Sequence, residues 1–309
     1  MAPFASQYIQ IKMLSKIINH WRKGDLKQVV NTYLSNITVR HKIEAWRKLK
    51  AKGEAVVIGA GNGISLKLYP DSILSEPIFT GRFEPSEIDF VKSYLKKGDT
   101  FLDIGANIGL FTVIAAGEVK NEGRVVSFEP VQKTFSRLRE NVELNKFRNV
   151  ELVNAGLSDS DGTLEMITST DGHDAWNSFG RPTAGTHFKS ESVSIKRLDS
   201  WLSESKLSVI HLVKMDVEGW EINVLRGGMQ FFSSPEAPDL LVEFTEENCK
   251  NAGTSCGELY ESLATAGYTM YTYDRYKKRL IPEPRRQKYT HLNIIATKNP
   301  KNIVARIKA

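Results

Sequence analysis

The sequence predicts an α/β protein: a doubly wound sheet, mostly parallel, with an antiparallel C-terminal edge strand and added N-terminal helices. Three observations carry this. Short apolar runs alternate with helical patterns from residue 100 to 154 and again from 209 to 266, the order that covers a parallel sheet with its own crossover helices. A turn with two glycines, Asp103-Ile104-Gly105-Ala106-Asn107-Ile108-Gly109, stands where the first of those strands meets its helix. Two apolar runs near the end, 269–273 and 291–297, are joined by a long basic excursion and suit an antiparallel edge.

In chain order, residues 6–50 carry apolar positions at mixed three and four spacing, such as Ile9, Met13, Ile17 and Ile18. They predict two or three short amphipathic helices with a break near Gly24. This segment is strongly basic: residues 1–52 hold eleven Lys/Arg against two Asp/Glu, and the remaining chain holds 31 against 34. Such an excess suits either a solvated helix face or a surface for an anionic membrane, an acidic partner or a second copy of the chain. The expected division is an extension over 1–52 and a domain over 53–309, the latter with a lead-in of 53–98 and a core of 99–300.

From residue 55 the pattern becomes Val56-Val57-Ile58, a glycine cluster over 59–63, then Ile64 to Leu68, which predicts a hairpin. The cluster superficially resembles a dinucleotide loop. A strand and Pro70 follow it instead of a helix, so no helix N-terminus is available to hold phosphates. Residues 85–95 then read as a helix with Pro85 near its start. Strands at 100–104, 124–128 and 150–154 alternate with helices at 109–118 and 131–144. The stretch 159–194, rich in Gly, Ser, Thr and Asp, reads as an irregular lid. Strand 209–216, helix 221–232, strand 239–244 and helix 257–266 resume the alternation.

Composition excludes several classes. No run of eighteen apolar residues occurs, and Lys12, Lys16, Arg22 and Lys23 interrupt the first thirty residues, so neither a membrane span nor a secretion signal is expected. Cys249 and Cys256, seven residues apart, match no metal or disulfide pattern and read as reduced thiols. A cytoplasmic location follows, with a membrane-surface contact through residues 1–52 left open. Outside that segment the chain is net negative and shows no recognition motif, so nucleic acid is not an expected partner.

The turn at 103–109 suits a cofactor loop. Gly105 and Gly109 permit close backbone approach and positive φ, and the helix beginning near Ile108 is expected to present free backbone N–H groups. Asp103 at the strand end can bind the cationic tail of a sulfonium cofactor, directly or through water. Glu129, after Val125-Val126-Ser127-Phe128, stands where a carboxylate accepts both hydroxyls of a ribose. A ribose acid alone also fits a nicotinamide cofactor. The acid that opens the turn and the reversed edge favour S-adenosylmethionine.

These residues, with Phe128-Glu129-Pro130 and Lys214-Met215-Asp216-Val217-Glu218-Gly219-Trp220-Glu221, resemble the FkbM-type methyltransferases over roughly residues 80–298. The resemblance implies a class I, Rossmann-like methyltransferase fold, S-adenosylmethionine as donor, and O-methylation of a sugar, glycolipid or natural-product hydroxyl. It places Asp103, Gly105, Ala106, Asn107 and Gly109 around the methionine end. Glu129 and Pro130 fall at the ribose, and Asn154, Ala155, Gly156 and Leu157 near the adenine. Asp216 and Glu218 fall beside the methyl group and the acceptor.

A hydroxyl acceptor must lose its proton, and a positioned base contributes roughly 10²–10⁴-fold to such a step. Lys214, Asp216 and Glu218 recur at period two, so an extended backbone sends them to one side. Asp216 or Glu218 is the expected base or orienting carboxylate, although either also suits the first turn of the helix near Trp220. His173, beside Asp174 and Trp176, and Glu243, at the fifth strand tip, are rivals. No metal motif is evident, yet carboxylates from separate strand tips could assemble a magnesium site that spacing does not reveal. An oxidoreductase on the same sheet and a non-catalytic binding protein are the competing readings.

Overall fold

The structure, a computed structural model, describes residues 26–169, 179, 187–205, 207 and 209–308, with side chains from residue 37 onward. Its centre is an eight-stranded sheet. The strands are β3 (Thr100–Ile104), β4 (Arg124–Phe128), β5 (Val150–Val153), β9 (Leu212–Met215), β10 (Asp239–Phe244), β11 (Thr269–Asp274), β12 (Arg279–Pro282) and β13 (Leu292–Thr297). Their order is β12-β11-β13-β10-β9-β3-β4-β5. Strands β5, β4, β3, β9 and β10 run parallel, β13 pairs antiparallel with β10, and β11 with β13. The predicted doubly wound sheet is therefore present, with its reversed edge widened by β12, which the sequence reading left inside the basic excursion.

The central strands β3, β4, β9 and β10 are buried on both sides because helices cover both faces. On β3, Phe101 packs into one core with Val113 and Phe90, and Leu102 and Ile104 pack into the other with Met215 and Phe244. The glycine cluster at 59–63 lies in the turn of a hairpin, β1 (Val56–Gly61) with β2 (Ile64–Leu68), and opens no helix. Asn141 and Asn145, on the helix Gln132–Leu144, clamp β2: their side-chain oxygens accept from Lys67 N and Ser65 N at 2.6 and 2.8 Å.

Three expectations are corrected. Within 26–52 the chain forms one continuous helix, Leu26–Lys52, with no second break. Trp46 near its end is 2% exposed and packs on Phe79 with ring centroids 5.5 Å apart. The stretch 159–194 is not irregular throughout: β7 (Gly162–Ser169) and β8 (Phe188–Lys196) pair antiparallel, and β6 (Gly156–Leu157) joins β8. The strand period rests on Leu164 and Met166 in β7 and on Val193 and Ile195 in β8, too few apolar positions among Ser, Thr, Glu and Lys to stand out. The helix expected over 221–232 is divided into Glu221–Gly227 and Met229–Ser233. At that break Gly227 lies so close to Ser158 that an added Cβ would stand 1.9 Å from its carbonyl oxygen. A final helix, Pro300–Lys308, escaped the sequence reading and is anchored by Arg306 on Asp99 at 2.6 Å. Among the described residues no helix is long and apolar enough to cross a membrane.

Candidate active site

A cavity of about 690 Å³ opens at the C-terminal ends of the parallel strands, where open α/β sheets take their ligands. Its floor is the turn after β3. There Gly105 N and Ala106 N both donate to Phe128 O at 3.1 and 3.0 Å, Asn107 N donates to Glu129 Oε2 at 3.1 Å, and Ile108 N donates to Asn107 Oδ1 at 2.7 Å. Of the N–H groups expected to be free near Ile108, those of residues 105–108 are taken by the turn itself and by the end of β4, and the helix begins beyond them at Leu110. Gly105 is at φ +82°, and a Cβ on it would stand 1.9 Å from Asp216 O. Asn107, at φ +48°, takes the left-handed region that asparagine tolerates.

Of the residues expected to hold the donor, Gly105, Ala106, Asn107, Glu129, Pro130, Gly156, Leu157 and Asp216 line the cavity. Asp103, Gly109 and Ala155 do not. Asp103 follows the alternation of β3 under the helix Leu110–Val119, where its Oδ2 accepts from Thr112 Oγ1 at 2.6 Å and its Oδ1 is buried without a partner. Burial raises its carboxyl, against the nearby Lys214 charge. Gly109, at φ +90°, leaves room for Leu138 behind the loop. Glu129 is positioned by Asn107 N and by Val131 N, which donates to Oε1 at 3.0 Å. Asn154 donates to the carbonyls of Glu129 and Pro130 at 2.9 and 3.0 Å, which joins the second and third strand tips.

The opposite wall carries the acids. Lys214, Asp216 and Glu218 all reach the cavity, but by a different backbone from the one expected. β9 ends at Met215, and Glu218 and Gly219, at φ +55° and +96°, form a turn ahead of the next helix. Lys214 Nζ donates to Asp216 Oδ2 at 2.8 Å. Burial alone would lower the Lys214 amine, but the carboxylates of Asp216, Glu84 and Asp103 outweigh it and hold it high. Glu218 accepts from Asn248 at 2.6 Å, and Glu221, the first-turn acid, accepts from Val217 N at 3.0 Å. Burial, then the charges of Glu243 and Asp216, push the Glu218 carboxyl well up.

Glu243 from β10 completes this wall with Thr245 and His291, which lie 2.9 and 3.2 Å from its Oε1. The hydrogen bond to Glu243 outweighs burial and pushes His291 up to about 9. His173 lies outside the described residues, as do Asp174 and Trp176.

Several lining residues were not expected at the site, Glu84 and His291 among them, and Phe179 was expected only within the lid stretch. Glu84 precedes Pro85 at φ +39°, a conformation that surroundings must enforce, and burial pushes its carboxyl up to about 8. An acid before a helix-opening proline was the available signal. Phe179 stacks on Trp220 with centroids 5.1 Å apart, and its distance in sequence from every strand gave no signal. Cys249 and Cys256 lie away from the cavity, buried with their Sγ atoms 3.6 Å apart.

The donor set fits S-adenosylmethionine. Glu129 offers a carboxylate beside the glycine turn, apolar walls run from Phe128 to Leu157, and the buried, unpartnered Asp103 Oδ1 puts negative potential behind the turn.

A family model described as the methyltransferase FkbM domain matches residues 103–270, more than half of the chain. The chain is 31% identical over 153 residues to the 2-O-methyltransferase NoeI of Sinorhizobium fredii, an alignment that covers 45% of this chain and 62% of that one. It therefore spans less than two thirds of that relative. It is 29% identical over 196 residues to the hexuronic acid methyltransferase AglP of Haloferax volcanii, covering 60% of this chain and 74% of the other. The solved methyltransferase FkbM from Methylobacillus flagellatus aligns with 72% of this chain and 54% of its own, at a TM-score of 0.40 and 15% identity. The match also decides between the two cofactors that a ribose-binding acid allows. This chain belongs to the FkbM methyltransferase family, and its methyl donor is S-adenosylmethionine.

Proposed function

We propose that the protein is an O-methyltransferase acting on a hydroxyl of a sugar, glycolipid or natural-product acceptor. The observation that carries this reading is the division of the cavity. The glycine turn and Glu129 occupy one side, and Asp216, Glu218, Glu243 and Glu84 line the other. A hydroxyl is a poor nucleophile until its proton is drawn away, and carboxylates at the acceptor wall supply that function. Two relatives point the same way, one named a 2-O-methyltransferase and one a hexuronic acid methyltransferase.

In this reading Gly105, Asn107 and Glu129 orient the donor, which supplies an electrophilic methyl group when bound. Phe128, Leu157 and Phe179 exclude water from its flank. Lys214 holds Asp216 through a 2.8 Å hydrogen bond, and Asp216 or Glu218 orients the acceptor oxygen and takes its proton as the methyl group is transferred. Much of the rate then comes from alignment, because oriented reactants avoid the entropy of encounter.

The test is isotopically labelled S-adenosylmethionine offered with a panel of saccharides, glycolipids and phenolic or polyketide alcohols, with the products mapped by mass spectrometry. Label in an ether-linked methyl supports the reading. Label found only on nitrogen or carbon across the panel overturns it.

A further inference from the structure

The acid wall holds more carboxyl groups than one proton acceptor requires. Asp216, Glu218 and Glu243 each bring a carboxylate oxygen within 4.8 Å of the others. They come from three backbone settings, the end of β9, the left-handed turn beyond it and the neighbouring strand β10, so the cluster is made by the sheet and not by one acidic run. Among the described lining residues six acids, Glu84, Glu129, Asp216, Glu218, Glu243 and Glu247, face three cations. Of those cations Lys214 is committed to Asp216, His291 to Glu243, and Arg82 to Glu76.

A second observation is independent of the cluster. Glu84 enters from the start of the helix Pro85–Tyr94, and its Oε2 is buried with no hydrogen-bond partner. It lines the same cavity as Lys214, Asp216, Glu218 and Glu243. An unmet buried carboxylate oxygen costs free energy unless a ligand satisfies it.

We propose that Asp216, Glu218 and Glu243 bind a hard divalent cation of the magnesium or manganese type, with Glu84 accepting a hydrogen bond from a water in its coordination shell. Oxygen ligands select such ions over zinc or copper, and magnesium in particular keeps several waters beside one or two carboxylates. The ion sits on the acceptor side of the cavity. It draws a hydroxyl oxygen to itself and lowers the pKa of that hydroxyl. The proton passes to a cavity carboxylate as the methyl–sulfur bond breaks and the methyl–oxygen bond forms. Use of the ion in the reaction rests on the O-methylation reading, whereas its binding does not.

The test uses full-length protein stripped with chelator. Manganese(II) binding is followed by the loss of the free-ion electron paramagnetic resonance signal, and S-adenosylhomocysteine binding is measured separately by calorimetry without metal. One manganese per chain is expected, displaceable by magnesium, with affinity at least tenfold weaker in Glu243→Gln and in Asp216→Asn. A rise in wild-type Tm on adding manganese, reversed by chelator, supports the site without recourse to variants. No saturable binding at millimolar manganese, or binding that survives both substitutions, overturns it. If S-adenosylhomocysteine still binds in that case, the metal site alone has failed and the donor assignment stands.

Discussion

Single residues at the turn after β3 decide both folding and donor binding. At Gly105 a methyl group would meet the Asp216 carbonyl in a left-handed backbone, so Gly105→Ala should cost at least about 1–3 kcal/mol in chemical denaturation. It should also weaken S-adenosylhomocysteine by tenfold or more in calorimetry, and an unchanged Kd would place the donor elsewhere. Glu129→Gln removes a charged acceptor from two backbone donors, a change of about 1.5–3 kcal/mol, and should raise the Kd for the same ligand. Asp216→Asn should instead lower kcat by roughly 10²–10⁴ with a far smaller change in that Kd, the signature of a group that acts on the acceptor. Gly105 and Glu129 were legible because a turn glycine and an acid after a buried strand are local patterns. Glu84 and His291 were not, because neither belongs to a local motif or a repeating position and only the fold brings them to the cavity.

Among the elements, strand and helix identities followed from local periodicity, and the departures have physical causes. The serine- and threonine-rich ribbon β7–β8 carries too few apolar positions for a rhythm to stand out, and the break between the helices Glu221–Gly227 and Met229–Ser233 lies where Gly227 packs against Ser158. The helix Leu26–Lys52 packs on the domain through Trp46, which joins the core beside Phe79. Trp46→Ala should cost about 3–5 kcal/mol by denaturation, and a truncation beginning at residue 53 should lower Tm comparably. The segment after β2 is pinned by Asp71, which Arg137 contacts at 2.5 and 2.7 Å and Lys133 at 2.7 Å. Desolvation opposes ionisation of Asp71, but those partners outweigh it and pull its carboxyl down to about 2 from an ordinary 3.8. A depressed carboxyl stabilises above its unfolded pKa, so this contribution is present above about pH 4 and is lost as pH falls towards 2. With a half-exposed carboxylate it amounts to no more than about 1 kcal/mol, and Asp71→Asn should flatten that part of the stability profile.

For the whole molecule, the two ends of the sheet divide the work. At the N-terminal ends of the strands Arg306 grips Asp99, and the Tyr94 hydroxyl bridges His211 O and Asp239 Oδ2 at 2.8 and 2.7 Å, a network with no access to the cavity residues. Asp99→Ala should therefore destabilise the fold by about 3 kcal/mol, with the largely buried Arg306 charge left behind and a lower Tm, and leave S-adenosylhomocysteine affinity unchanged. At the C-terminal ends lies the chemistry. The sequence by itself determined the alternation of strands and helices, the reversed edge and the turn at 103–109 with its acid at Glu129, because each is written in spacing over a few residues. Only the tertiary structure decided that Glu84, Glu218, Glu243 and His291 line one cavity, that Asp103 lies under a helix instead of on the cavity, and that Phe128 O and the Glu129 carboxylate at the end of β4 take the first N–H groups of the loop. Those outcomes depend on strand order, which places β10 beside β9 and β9 beside β3 across more than a hundred residues, and no local period encodes a crossover.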